Sequence, residues 1–378
     1  MLQVEQVVLC FTILIQYASV GLAMLRLRRK TLSLSEDEGV TILKPVSGFE
    51  NNLELTLGSS FQVKYPRYEL LFCAATPDDP AIPIVKGLIE AFPGIDARLL
   101  VGDQRISDNP KLNNLAKGWE ASSYEMIVVS DSNVEIPPDY LQRLLECRTE
   151  QTAFVCSPPV AVQAHGLAAR IEAAFLNTYQ ARWQMVADYL GHGYVQGKTM
   201  MFSRADLKTW GGLKELAIEA AEDAAATKIA RRHRKEVRLV AKPFFQPLGE
   251  RTFREVWRRQ TRWAQLRRRA FPLAYSAEIV TGAALPTSLY IALWAADAAP
   301  LAGLPAVVVA WYAPEILLAV AYRWPVNPGL VCGYLLRDLM IPVIWLSGWF
   351  MREFIWRGNK VITDQMPRSR SRTSIRAS

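Results

Sequence analysis

The placement of charge along this chain leaves few architectures open. Gln6 to Leu25 is a run of 20 residues without a charged side chain, long enough as a helix to cross about 30 Å of hydrocarbon. A second apolar block extends from about Ile279 to Phe350. It opens with 18 uncharged residues ending at Ala296, continues from Ala298 to Tyr322 with Glu315 as its only acid, and ends with Val326 to Met351, interrupted by Arg337-Asp338. Hydrophobic residues make up 51% of the 378 positions, and the excess over an ordinary globular chain sits in these two blocks. A polar middle held between membrane segments follows.

The formal charge of +8 is local too. Arg251 to Arg269 holds eight arginines against Glu255, and the tail from Pro367 adds Arg368, Arg370, Arg372 and Arg376. Both patches adjoin apolar segments, where basic residues mark the cytoplasmic side and attract anionic lipid, so the partner implied is membrane lipid and not nucleic acid. Arg26, Arg28, Arg29 and Lys30 directly follow the first apolar run. A cleaved signal peptide carries its positive charge before the core, so this run reads as an anchor with the N-terminus outside and the next domain in the cytoplasm. Four complete spans would return the arginine-rich tail to the outside. The Arg337-Asp338 pair therefore predicts that Val326 to Met351 is re-entrant, interfacial or broken at that pair. The five cysteines show no CxxC spacing and read as isolated packing residues in a reducing compartment.

Between the blocks, short apolar runs alternate with helix-like stretches. Val40 to Leu43 reads as a strand ended by Lys44-Pro45, followed by a helix over Asn51 to Phe61, a strand over Tyr68 to Ala75, a helix over Ile82 to Ala91 and a strand over Ala97 to Val101. A helix over Pro110 to Ala121 and a strand over Glu125 to Ser130 complete the series. This order implies a mainly parallel α/β sheet whose functional groups gather at the carboxyl ends of strands, where Asp79 and Asp131 fall.

Asp131-Ser132-Asn133 has the form of a DxD-like motif, whose carboxylate can bind Mg²⁺ or Mn²⁺ and so neutralise a diphosphate; the same residues also suit a turn after a strand. Asp78-Asp79-Pro80 carries the same ambiguity. Glu222-Asp223 heads a helical run, where acids favour the helix dipole or serve chemistry. Gln260-Thr261-Arg262-Trp263 belongs either to an amphipathic interfacial helix or to a phosphate site, since arginine offers a planar fork and tryptophan a stacking face. The histidines form no metal pair or triad, and there is no GxSxG, P-loop or dinucleotide fingerprint.

The order Asp, DxD-like, Glu-Asp, QxxRW is far more specific than any single member. It resembles the processive-type inverting glycosyltransferases of GT-A fold, and within them the ceramide glucosyltransferase family. Ile42-Leu43-Lys44-Pro45, Tyr65-Pro66, Asp78-Asp79-Pro80, Asp96-Ala97-Arg98-Leu99, Asn109-Pro110-Lys111, Asn113-Asn114-Leu115, Gly211-Gly212-Leu213 and Trp356-Arg357 continue the likeness over nearly the whole chain. The resemblance implies that Asp79 contacts the uridine, that Asp131 positions the metal and diphosphate, and that Asp223 is the general base. By the same resemblance Gln260, Arg262 and Trp263 close over diphosphate and acceptor, and Lys44, Lys111 and Asn114 belong to the donor site. It departs from the animal ceramide enzymes at Ala75-Thr76-Pro77 and at Gln180, which bears on sugar and lipid specificity.

The resulting expectation is a bacterial-like, multi-pass inner-membrane enzyme with a cytoplasmic catalytic domain, a Mg²⁺ or Mn²⁺ cofactor, a UDP-sugar donor and a lipid acceptor, ceramide first and hopanoid or diacylglycerol as alternatives. A non-catalytic membrane scaffold with a transferase-like domain is the rival from another class. The domains expected are an anchor (1–30), a catalytic domain (40–245), an interfacial segment with QxxRW (246–275), C-terminal transmembrane segments (276–357) and a basic tail (358–378).

Overall fold

The computed structural model describes residues 2–27, 38–351, 353–356 and 359–362. Arg28, Arg29, Lys30, Arg357 and the arginine tail, all used in the sequence reading, lie outside the described residues. Nine strands build the polar middle: β1 (Val40–Val46), β2 (Tyr68–Ala74), β3 (Ala97–Val101), β4 (Met126–Ser130), β5 (Thr152–Cys156), β6 (Val160–His165), β7 (Thr199–Ser203), β8 (Glu236–Leu239) and β9 (Phe245–Glu250). Seven form one sheet in the order β3-β2-β1-β4-β7-β5-β8. Every pairing in it is parallel except those of β7, which runs against both β4 and β5. The helices Ile82–Ala91 and Pro110–Ala121 keep the bounds read from sequence.

Alternation along the strands divides the core into two layers. Leu71, Ile127, Phe154 and Met200 pack on one face of the sheet, and Leu70, Phe72, Val128 and Met201 on the other. Strands buried on both faces read as unbroken apolar runs, which is why β1, β2 and β4 were visible in the sequence; β5 to β9 were not read there. The end of β1 also differs: it continues through Lys44-Pro45 to Val46 instead of stopping at Leu43. Its pairing with β4 ends at Leu43 while its pairing with β2 runs on, so Pro45 sits where the ladder on one side has already ended. β6 and β9 pair in parallel as a separate ribbon, and β9 spans the junction between residues 245 and 246 where the catalytic domain was expected to end.

Among the described residues, three helices are long and apolar enough to cross a membrane: Leu2–Arg26, one within Leu301–Ala321, and Pro328–Phe350. Leu335, Leu339, Val343, Leu346 and Phe350 stay exposed along the last of these, a stripe at helical spacing suited to lipid. Their inner faces carry charge. Glu315 accepts from Arg337 at 2.9 and 3.1 Å and from Gln16 at 3.0 Å, and lies 3.3 Å from Arg182. Arg337 also reaches Asp338 (2.8 Å) and Thr178 (2.9 Å), and Arg182 donates to Gln16 at 2.6 Å. Two cations thus balance two anions out of contact with solvent, drawn from the last two apolar helices and from the helix Arg182–Tyr189 of the polar middle, with the neutral Gln16 joining them from the first.

This network overturns one alternative expected for Val326 to Met351, a break at Arg337-Asp338. Pro328–Phe350 is one continuous helix, because Arg337 and Asp338 are paired inside the protein and need no break to reach water. The break lies elsewhere. The run Ile279 to Ala296 is split into Pro272–Thr281 and Ala284–Ala295, bent by 48°. Asp338 accepts from the backbone N–H of Ala283 at 3.1 Å and from the Tyr312 hydroxyl at 2.9 Å, which caps the helix that restarts after the bend. Arg26 departs from its expected role as well. It is buried against Asp188 at 2.6 Å and the carbonyl oxygens of Leu239, Val240 and Ala241, so it fastens the N-terminal helix to the polar middle instead of facing lipid headgroups.

Removing one partner from a buried ionic group leaves uncompensated charge, at a cost of about 3–5 kcal/mol. Glu315→Ala strands Arg182 and leaves Arg337 with Asp338 alone, and is expected to lower the thermal midpoint in detergent micelles strongly. Val309→Ala, on an exposed face, is expected to stay near the parent.

Candidate active site

Strand order reverses between β1 and β4, and the groups beyond their carboxyl ends form a crevice of the kind that binds nucleotides in open α/β sheets. Asp131 is the first residue after β4. Antiparallel pairing of Ser130 with Thr199 brings Lys198 beside it, and the Asp131 N–H donates to the Lys198 carbonyl oxygen at 3.0 Å. The Lys198 ammonium lies 3.1 Å from one Asp131 oxygen and Lys111 lies 2.8 Å from the other. Lys111 also reaches Glu222 at 2.7 Å and donates to the Gly197 carbonyl at 2.8 Å.

Local structure explains why Lys111 is so placed. Asn109 caps the helix Pro110–Ala121, its side-chain oxygen accepting from the N–H groups of Lys111 (2.9 Å) and Leu112 (3.3 Å), with Pro110 in the first turn. The Asn109 amide nitrogen donates to Glu222 at 3.1 Å, which locks this helix to Glu222–Arg232. Gly197 sits between them. A Cβ there would lie 3.0 Å from Glu222 and 3.4 Å from Asp223, tight contacts that glycine avoids.

Asp223 follows in the first turn of the same helix, accepting from Ala224 N–H at 2.7 Å and Gly197 N–H at 3.2 Å. Burial, then the neighbouring Glu222 charge, push its carboxyl up to about 6, against the pull of Lys111 and the two N–H donors. Asp131 goes the other way. Burial opposes its charge, but the Lys111 and Lys198 ammonium groups outweigh burial and hold it well below the usual carboxylate range. Two carboxylates in one cluster are therefore driven apart, one a firm anion and the other a proton acceptor near neutrality.

The remaining residues singled out in the sequence are distributed around this cluster. Asp79 accepts from the N–H groups of Gly48 (3.1 Å) and Ala81 (2.9 Å), joining the loop after β1 to the turn before Ile82–Ala91. Asn114 is fully buried and donates to the carbonyl oxygens of Val46 (3.3 Å) and Cys73 (2.7 Å), so it holds β1 to β2 beneath the crevice. Lys44 is also fully buried. Its amine lies 3.4 Å from the Val134 carbonyl, and burial lowers it to about 7 against the opposing pull of Asp131. Lys44 and Asn114 thus form the floor of the crevice in this conformation.

Gln260, Arg262 and Trp263 lie on the helix Phe253–Ala270, which begins with a reciprocal cap between Thr252 and Glu255. Gln260 is buried against Gln180, and Trp263 packs on Ala161, Ala173, Leu176, Leu248 and Leu330. Phe271, just past this helix, lies under Lys228 and Arg231 of the helix that carries Asp223, so the two helices meet there. Much of the arginine cluster is engaged within the protein: Arg251 and Arg259 with Glu172, Arg267 with Glu278, and Arg268 over the Trp349 ring. The sequence reading passed over Lys198 and Gly197, because only the non-sequential pairing of β4 with β7 brings them to Asp131.

Among the described residues no three His, Cys, Asp or Glu side chains converge as a self-sufficient metal site. Mg²⁺ needs only one or two protein carboxylates when substrate phosphates supply further oxygens. Asp131, firmly ionised and partly open, fits that lesser role.

Lys111→Met takes the cation from Glu222 and half of the neutralisation from Asp131. In the parent, the depressed Asp131 contributes stability that is complete above pH 4 and is lost only as pH falls through its low folded value. In the variant, carboxyls raised by unpaired burial contribute stability that is lost as pH rises. The parent gains stability from pH 8 to pH 5 only through the raised Asp223, so thermal scans are expected to show a larger gain over that window in the variant, where Glu222 and Asp131 add to it.

Comparison with known proteins agrees with this architecture. Ceramide glucosyltransferase 3 of Caenorhabditis elegans is 26% identical over 358 residues, covering 92% of this chain and 77% of the relative. Ceramide glucosyltransferase 1 of the same organism is 30% identical over 231 residues, 61% of this chain and half of the relative's length. The crystallised mannosyltransferase PcManGT of Pyrobaculum calidifontis, in complex with GDP-Man and Mn²⁺, superposes with a TM-score of 0.50 at 17% identity, covering 91% of this chain and 97% of that one. The last likeness is one of fold, and the mainly parallel GT-A architecture is the fold observed. The model of glycosyl transferase family 21 matches residues 7–368, and the chain belongs to that family.

Proposed function

We propose that this protein is an inverting membrane glycosyltransferase that moves a hexose from a UDP-sugar to the hydroxyl of ceramide. The observation that carries this reading is the divergence of Asp223 and Asp131 within one cluster, one carboxyl poised near neutrality and the other held as an anion by two lysines. The names of the relatives supply the substrate class. Three long apolar helices fixed to the catalytic middle by buried ion pairs suit an acceptor that arrives from lipid.

In this mechanism Asp223 takes the proton of the acceptor hydroxyl. The freed oxygen pair forms the new bond to the anomeric carbon, and the carbon–oxygen bond to the diphosphate breaks, its electrons leaving with UDP. Attack opposite the leaving group turns an α-linked donor into a β-linked product. Lys111 and Lys198 keep Asp131 charged and oriented, and the planar guanidinium of Arg262 suits the departing phosphate. A divalent ion held by Asp131 and the diphosphate would supply neutralisation of the leaving group. Asp79, with Lys44 and Asn114 beneath, supports the nucleotide end.

UDP release and mass spectrometry of the lipid product test the reading. A hexosylceramide is expected; product formed only on diacylglycerol or a hopanoid would replace the acceptor. Asp223→Asn is expected to lose about 10²–10⁴ in turnover with donor affinity within a few-fold. In the parent, kcat/KM is expected to fall as pH drops through about 6, because Asp223 must be ionised to accept the proton.

The topology proposed is three crossings, with the bent pair Pro272–Thr281 and Ala284–Ala295 dipping into the membrane without traversing it. This leaves the N-terminus outside and the catalytic middle and basic tail together in the cytoplasm, in accord with the positive-inside rule. In a background lacking the native cysteines, Glu353→Cys is expected to react with an impermeant maleimide only after permeabilisation. Labelling in intact cells would overturn the three-span topology.

A further inference from the structure

Strands β1, β4 and β7 lie side by side, so the loop after β1, the residues after β4 and those before β7 share one rim of the crevice. A row of polar side chains runs along that rim. Glu50 accepts from Asn133 Nδ2 at 2.6 Å, and Asn133 Oδ1 accepts from the Lys198 ammonium at 2.9 Å. Both neighbours fix the orientation of the Asn133 amide, because an ionised carboxylate can only accept and an ammonium can only donate. The same ammonium lies 3.1 Å from Asp131 Oδ2. The backbone of Lys198 is held on both sides: its N–H donates to Gln196 Oε1 at 2.8 Å, and its carbonyl oxygen accepts from the Asp131 N–H.

Asp131 and Asn133 are the first and third residues of the DxD-like motif, and an oxygen of each converges on one nitrogen. A divalent ion shared by these two oxygens would meet that ammonium in its place. Access to Asp131 therefore depends on which of its two lysines gives way. Lys111 holds Oδ1 and also contacts Glu222 and the Gly197 carbonyl, so its three N–H groups all have acceptors. Lys198 holds Oδ2 with only the neutral Asn133 as a second acceptor among the described residues, and one of its three N–H groups remains for a ligand. Of the two, Lys198 is the cation that can leave.

We propose that Lys198 is an exchangeable counter-ion of Asp131 and a diphosphate-binding residue. Without donor, its ammonium occupies the cation's place between Asp131 and Asn133. When the metal-bound diphosphate enters, Lys198 yields Asp131 and turns to a diphosphate oxygen, while Lys111 stays where it is. A divalent ion without nucleotide binds weakly, because it has to displace an ammonium that has no phosphate to receive it. This rests on the reading of the protein as a UDP-sugar-dependent transferase.

The test uses the full-length protein in detergent micelles and reads binding, not turnover. Mn²⁺ binding without nucleotide is followed by electron paramagnetic resonance, and UDP binding at saturating Mn²⁺ by calorimetry. In Lys198→Met, Mn²⁺ is expected to bind about tenfold more tightly, since a neighbouring positive charge is gone. UDP is expected to bind about tenfold more weakly, since a charge-assisted hydrogen bond is lost. Lys198→Gln, also neutral but polar, should shift both affinities in the same directions, and it carries the test if the methionine variant does not fold. Lys198→Arg keeps the charge, so both affinities should stay within about threefold of the parent. Loss of the charge thus moves two affinities in opposite directions, whereas structural damage lowers both. Unchanged or weaker Mn²⁺ binding in the neutral variants, or unchanged UDP binding, would overturn the inference. Failure of the donor reading looks different: the unsubstituted protein would bind no UDP at saturating Mn²⁺, and the Mn²⁺ titration without nucleotide would still decide whether Lys198 occupies the cation's place.

Discussion

A single ammonium group, that of Lys111, holds the crevice together. It lies between Asp131 at the end of β4 and Glu222 at the head of another helix, and also binds the Gly197 carbonyl. Without that cation, two carboxylates and the adjacent Asp223 would stand together in a poorly hydrated space and repel one another. With it, Asp131 stays charged, and Asp223, which lacks an ion pair of its own in the cluster, rises towards neutrality. The difference between the two acids thus follows from two lysines at Asp131 and from burial beside Glu222 at Asp223. Lys111 is pinned by ordinary means: an Asn cap, a proline in the first turn, and a glycine too small to intrude.

The membrane-facing part uses the same physics at lower dielectric. Arg182, Glu315, Arg337 and Asp338 balance one another's charge, with hydrogen bonds from or to Gln16, Thr178 and Tyr312. Charged groups in such a setting are tolerated only when paired, and pairing fixes the helices that carry them. Since Arg182 belongs to the polar middle and Thr178 to the π-helical turn Phe175–Ala181, the network ties the long apolar helices to the same segment that reaches Gln260. Contacts within the protein also absorb several arginines of the stretch from 251 to 269, which leaves fewer of them for lipid than charge alone implies.

These two ionic clusters differ in what they leave open. Around Lys111 the partners are partly exposed and face a crevice, so a charged ligand can exchange with them. Around Glu315 nothing is exposed, and the pairs serve position.

Periodicity and order in the sequence determined the broad plan: apolar ends, a mainly parallel sheet, and acids at strand ends followed by a QxxRW helix. These were legible because burial on both faces of a strand, or exposure to lipid around a helix, imposes a continuous local pattern on the residues themselves. Asp131 and Asp223 could be named for the same reason, each sitting at the boundary of an apolar or helical run. What the sequence could not reveal depends on segments far apart in the chain. Lys198 reaches Asp131 only because β7 inserts antiparallel beside β4. The break in the apolar block falls at 281–283 and not at Arg337-Asp338, because those two side chains find partners on other helices and Asp338 caps the restart. Gln180 faces Gln260 only through the extra residue of a π-turn. Local patterns record the environment of a residue, whereas these contacts depend on which distant residue supplies that environment, and only the tertiary structure decides that.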